Sequence, residues 1–150
     1  MAQPFPPKTP REEPPHKIVS PIIREAASKL AFSSNPAPGD LFDSIARTIA
    51  EELDKAKDKF NRPTQIRRFY DELVSWQQRV KDCDDDFKKF EAFIRMMNAK
   101  VAYAKGRELV DANCEHWFKE GIKATTNAKA LEHFKLHFEA VLGFLKGLRG

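Results

Sequence analysis

At 150 residues the chain has the length of one domain and can bury an apolar core without disulfide or metal staples. Its formal net charge of +4, with pI near 9.1, falls short of the strongly basic balance of a tight duplex-DNA binder. Cys83 and Cys114 are its two cysteines, in no metal or redox spacing, and no apolar run approaches the roughly 18 residues of a membrane span. Disulfide scaffolds and membrane-spanning helices are therefore excluded. The chain does not start with a basic stretch followed by an apolar one, so a soluble protein of the reducing cytoplasm, with no membrane partner, is the expectation.

Nine of the ten prolines fall within the first 38 residues. Proline removes backbone donors and disfavours helix in the residue before it. Residues 1–38 are therefore expected as a Pro-rich arm, largely extended or disordered. One short helix is possible between Pro21 and Phe32, with Ile22, Ile23, Ala26, Ala27 and Leu30 on one side. The stretch SSNPAPG closes the arm, and the folded domain is expected over residues 39–150.

In that domain Phe42, Ile45, Ile49, Leu53 and Phe60 predict a helix from Asp40 to about Asn61, with Asp40 placed to cap it. Pro63 and Thr64 punctuate the chain. Ile66, Phe69, Leu73, Trp76 and Val80 then mark the inward face of a helix reaching about Lys81. The acids Asp82 to Asp86 suit the start of the next helix, whose dipole end attracts negative charge. That helix carries its apolar face on Phe87, Phe90, Ile94, Met97, Val101 and Ala104, and a break is expected between Gly106 and Asp111. The rhythm resumes through Val110, Cys114, Trp117 and Gly121. Thr125 to Asn127 form a turn, and Leu131, Phe134, Phe138, Val141, Leu142 and Leu145 mark a last helix. No stretch alternates with period two. The fold class is all-α, a compact bundle of about five helices behind a Pro-rich N-terminal arm.

A second stripe runs beside the apolar face of the middle helix: Phe93, Met96, Lys100, Tyr103, Arg107. It begins greasy and ends cation, aromatic, cation. Lys105 lies near the same end, and no acid occurs between Arg95 and Arg107. Thr64, Gln65, Arg67 and Arg68 open the preceding helix, where free N–H groups and the positive dipole end favour phosphate. Arginine grips phosphate bidentately and tyrosine can stack on a base. The plain alternative is two solvated rims whose stems cover apolar neighbours. From Gly39 onward 21 Lys and Arg face 19 Asp and Glu, so charge is nearly balanced in sum but concentrated in patches. That suits docking of one face on a charged partner.

Catalysis has little support. His133 and His137 stand four apart on the last helix, with Glu132 and Glu139 nearby and Cys114 and His116 elsewhere, but no HExxH occurs and no second ligand pair is fixed. Asp84, Asp85 and Asp86 have the oxygens a Mg²⁺ ion takes, and a helix start explains them more simply. There is no Gly-rich phosphate loop. No metal and no cofactor is expected.

Three segments, TQIRRFYDEL (Thr64 to Leu73), FIRMMNAKVAYAKGR (Phe93 to Arg107) and LEHFKLHFEAVLGFLKG (Leu131 to Gly147), resemble the Csm small subunit of type III-A CRISPR effector complexes. The resemblance covers about Asp40 to Gly147, and the middle segment is its most specific part. It implies a small, non-catalytic helical protein stacked in several copies along the complex, beside guide RNA and the target RNA paired to it. Such a subunit would hold RNA by its backbone and bridge to other Csm subunits and to copies of itself. Carried over by position, the RNA-binding residues implied are Thr64, Gln65, Arg67, Arg68, Lys100, Tyr103, Lys105 and Arg107. Phe69, Tyr70, Phe134 and Phe138 fall to the core. A helical protein–protein adaptor that does not bind RNA, its basic patches meeting acidic partners, is the alternative function.

Overall fold

A computed structural model of the chain describes residues 14–56 and 59–149. Among these residues the regular structure is entirely helical: α1 (Pro21–Ser28), α2 (Ser44–Asp54), α3 (Pro63–Val80), α4 (Asp84–Arg95), α5 (Met97–Gly106), α6 (Ala112–Lys123) and α7 (Ala128–Arg149). Short 3-10 turns occupy Pro15–Lys17 and Gly39–Phe42. The all-α class stands, but the described segments number seven where about five were expected. Two causes account for the difference. The stretch from Phe87 to Arg107 bends at Met96, where Ala99 N–H bonds the Met96 carbonyl in place of a four-residue step. The segment before Gly39 also supplies a helix of its own.

The bundle is built around α7. At 22 residues it spans about 33 Å. It packs along α2 and α3, and Leu131, Phe134, Phe138, Val141 and Leu145 are fully buried. Rings from α6 meet it: Trp117 lies 4.8 Å from Phe138 and Phe118 lies 5.6 Å from Phe134, centroid to centroid. The first N–H groups of α7 would otherwise lack partners. Asn127 Oδ1 accepts from Ala130 N–H at 2.8 Å, and Asp84 Oδ1, from the start of α4, accepts from Ala128 N–H at 3.0 Å. One of the three acids assigned to a helix start thus caps a different helix. At the far end Arg149 Nε donates to Asp54 Oδ1 at 2.8 Å, tying the end of α7 to the end of α2.

Residues 14–38, expected as largely extended, are folded onto the bundle. Ser20 caps α1 by accepting from Ile23 N–H at 3.1 Å, with Pro21 in the first turn. α1 packs on α6 and α2. Ile23 and Phe32 are wholly buried, and Ala26, Ala27 and Leu30 nearly so. Five apolar residues on one face outweigh the local pull of proline towards extended chain. The most proline-dense part of the expected arm, residues 1–13, lies outside the described residues.

The helix expected from Asp40 to Asn61 is shorter at both ends. Asp40 sits in a 3-10 turn, Asp43 precedes α2, and α2 stops at Asp54. The chain must leave the helix because Asn61 is held elsewhere. Its backbone is left-handed (φ 59°), and its N–H donates to Leu109 C=O at 3.0 Å.

Gly121 is the closest approach of α6 to α7. A Cβ there would stand 2.4 Å and 2.5 Å from two ring carbons of Phe134, which is itself fully buried. Gly121→Ala is expected to cost about 2 kcal/mol through overpacking, read as a lower urea midpoint with unchanged slope. An unchanged midpoint would show that the ring has room to move.

Candidate nucleic-acid interface

The second stripe of α4 and α5 is on the surface. Phe93, Met96 and Tyr103 are 52, 57 and 65% exposed, and Lys100 and Arg107 are exposed beside them. The apolar stripe next to it is core: Phe87, Ile94, Met97, Val101 and Ala104 are buried and Phe90 is partly so.

Three contacts place α3 antiparallel to this stripe. At its start, Asn61 bonds the loop after α5: its N–H goes to Leu109 C=O, and its Oδ1 accepts from Asp111 N–H at 3.0 Å. Midway, Lys100 Nζ donates to Glu72 Oε1. Further on, the Trp76 and Phe93 rings stack with centroids 6.0 Å apart and planes 6° from parallel. Positions 61, 72 and 76 therefore meet 109–111, 100 and 93 in turn. Arg68 stands one helical turn before Glu72 on α3. By this register it faces the stretch of α5 that holds Tyr103 and Arg107. The two basic segments noted in the sequence lie side by side, and their seam is a shallow, mixed-charge row.

Each predicted residue has a definite place in or beside that row. Thr64 and Arg68 are exposed and Gln65 is partly so. Arg67 points one position around the helix and pairs with Asp71 at 3.8 Å. Arg107 donates to the Tyr103 hydroxyl at 3.0 Å, with its guanidinium 5.8 Å from the ring centroid, so the two form one planar unit. Lys105 is not in the row. It lies on the side of α5 facing α6 and pairs with Glu115 at 3.2 Å.

The end of α5 is fixed by a left-handed stop. Glu108 has φ 60°, Leu109 N–H bonds Ala104 C=O and Glu108 N–H bonds Lys105 C=O. This is a Schellman stop with glutamate where glycine is usual. The break expected between Gly106 and Asp111 is present, and Asp111 starts α6 by accepting from Cys114 N–H at 2.9 Å. Burial pushes the Asp111 carboxyl above the ordinary range, against hydrogen bonds that pull it down.

Glu72, Trp76 and Asn61 complete the seam and were not singled out as site residues in the sequence. Arg68 and Glu72 at i and i+4 were a visible signal. Asn61 gave none, because only the fold shows what its amide reaches.

The histidines are committed to the fold. Trp117 Nε1–H donates to His137 Nε2 at 3.0 Å, and His137 Nδ1 contacts Leu41 C=O at 2.5 Å. Both ring nitrogens are used, the second as a donor, which leaves no lone pair for a metal. His133 Nδ1 bonds Phe32 C=O at 2.6 Å. Burial raises the Cys114 thiol well above its usual value, the opposite of what a nucleophile needs. Among the described residues no group of three or more His, Cys, Asp or Glu is placed to hold a metal ion, and no helix is long and apolar enough to cross a membrane.

Fold and surface define a small helical protein that presents a charged seam between antiparallel helices. A protein-family model described as Csm2 Type III-A matches residues 37–150. The chain belongs to that family, the small structural, non-catalytic subunit of type III-A CRISPR complexes, which assembles with the other Csm subunits. Comparisons with curated proteins and with solved structures gave no significant match.

Proposed function

We propose that this subunit binds guide RNA and the target RNA paired to it through their backbone phosphates, and that copies of it stack along the complex in the cytoplasm and bridge neighbouring subunits. The observation that carries the reading is the adjacency of the two basic segments along one seam, with Arg68 opposite the Tyr103–Arg107 unit. A subunit that must accept any guide sequence reads phosphate and shape and leaves base edges alone. A few cations per copy give weak binding singly and strong binding when repeated along a strand, which fits a net charge of only +4. Thr64, Gln65, Arg68, Lys100, Tyr103 and Arg107 form the proposed contact row. Arg67 and Lys105, each with its own acid, flank it. The exposed Phe93 and Met96, backed by Trp76, have the aromatic and methionine character of a protein-docking patch and support the bridging role.

The test is fluorescence anisotropy of a labelled single-stranded RNA of about 40 nucleotides titrated at several salt concentrations, where log affinity falls by about 0.7 per neutralised phosphate against log salt. Lys100→Ala with Arg107→Ala is expected to weaken binding about tenfold and to flatten that slope by about 1.4. The melting temperature should stay within a few degrees, because exposed pairs contribute little. A double variant that unfolds, or that binds as well as the parent, would assign these side chains to the fold. Salt-sensitive binding to an acidic protein with none to RNA would select the adaptor instead.

A further inference from the structure

Glu72 is an acid in the middle of a row otherwise suited to phosphate. Its carboxylate is partly buried in the seam, with 27% of the side chain exposed, and it holds the Lys100 ammonium across the two helices, 28 positions apart in sequence. On α3 it stands between Arg68 and Trp76, four residues from each. Arg68 makes no ion pair among the described residues although Glu72 is one turn away, because that carboxylate is turned to Lys100. The row therefore contains one unpaired guanidinium, one guanidinium resting on a tyrosine, and one ammonium already occupied by an anion of the protein's own.

Resting on the RNA-binding reading above, we infer that Glu72 is a built-in competitor for the phosphate site at Lys100, and that it sets the affinity of a single subunit low. A phosphate reaching Lys100 must displace this carboxylate and then lie beside it. Like charges at that distance oppose each other, and the opposition weakens as salt rises. A subunit that works in an array gains from such a device. Weak single-copy contacts leave stray RNA unbound, while repeated copies along one strand recover the strength. Glu72 and Lys100 also close the seam when RNA is absent, so the same pair that tempers binding keeps the empty row ordered.

The experiment compares the full chain with Glu72→Gln in the same anisotropy titration, with Lys100→Ala and the Glu72→Gln/Lys100→Ala double variant completing a cycle. Glutamine keeps the size and the hydrogen bonding of glutamate and removes its charge. The expected result is a three- to tenfold tightening for Glu72→Gln, with the salt slope steeper by about 0.7 as Lys100 gains a phosphate. The gain should vanish when Lys100 is absent. Binding by the parent with no change in Glu72→Gln overturns the inference and leaves the RNA reading intact. Weaker binding by Glu72→Gln also overturns it, and makes Glu72 a positioning residue for Lys100. No binding by either protein down to low salt defeats both readings together. Thermal melts of each variant separate loss of fold from loss of affinity.

Discussion

Asn61→Ala is expected to destabilise the protein by about 3 kcal/mol, from two separate causes. Asn61 is fully buried at the point where α2, α3 and the loop after α5 meet. Its Nδ2 donates to Leu53 C=O at 3.2 Å and its Oδ1 accepts from Asp111 N–H at 3.0 Å. Alanine would leave that carbonyl and that N–H without these partners, and each unsatisfied buried group costs about 1–3 kcal/mol. Alanine would also have to adopt φ near 59°, where asparagine is tolerated and a plain L-residue pays about 1 kcal/mol. Urea denaturation gives the sum as a shift in midpoint at constant slope. Asn61→Gly separates the parts, because glycine accepts the backbone but restores neither hydrogen bond. It should recover about 1 kcal/mol of the loss and no more. Full recovery by glycine would show that the amide contributes nothing. The consequence reaches the candidate interface, since Asn61 is the clasp that brings the start of α3 to the end of α5.

Periodicity carried the bundle in the sequence because a core face repeats at three and four residues whatever its neighbours do. Phe87 through Ala104 and Leu131 through Leu145 were therefore readable one residue at a time, and both faces are buried as expected. The first 38 residues were misread for the converse reason. Proline density is a local signal, whereas the burial of Ile23 and Phe32 depends on a groove supplied by α2, α6 and α7, far along the chain. The bend at Met96 left no mark either, since Met96 continues both the rhythm and the helical propensity across it.

The candidate interface was half legible. Cations and a tyrosine at helical spacing gave Lys100, Tyr103 and Arg107, and a helix start gave Thr64, Gln65 and Arg68. Their adjacency was not readable, because it rests on Asn61, on Glu72 and on the Trp76–Phe93 stack, three contacts between segments distant in sequence. Lys105 shows the limit of spacing from the other side. It shares a segment with Tyr103 and Arg107 but sits on the opposite face of α5, where Glu115 holds it.

Acidification should unfasten the N-terminal segment through His137. Burial pushes its pKa down from 6.5 to about 4, and the bond to Leu41 C=O only partly opposes this. The sign follows from the neutral ring. His137 Nδ1–H donates to Leu41 C=O, while Nε2 must keep a lone pair to accept from Trp117 Nε1–H. A proton on Nε2 would set two N–H groups against each other in the core. The folded state therefore resists a proton that the unfolded chain takes up near pH 6.5. The associated stability is fully present above pH 6.5 and is lost as pH falls towards 4. A depression of this size corresponds to about 3 kcal/mol between pH 7.5 and pH 4. Asp111, whose pKa is raised, works in the opposite direction as pH falls, so the bare pH profile mixes the two. Comparison with His137→Gln isolates the histidine. Unfolding free energies of both proteins at pH 7.5 and pH 4 should show the parent losing about 3 kcal/mol more than the variant. Equal losses would mean that the ring is not held neutral in the core, and that the link from α7 to Leu41 does not depend on its tautomer.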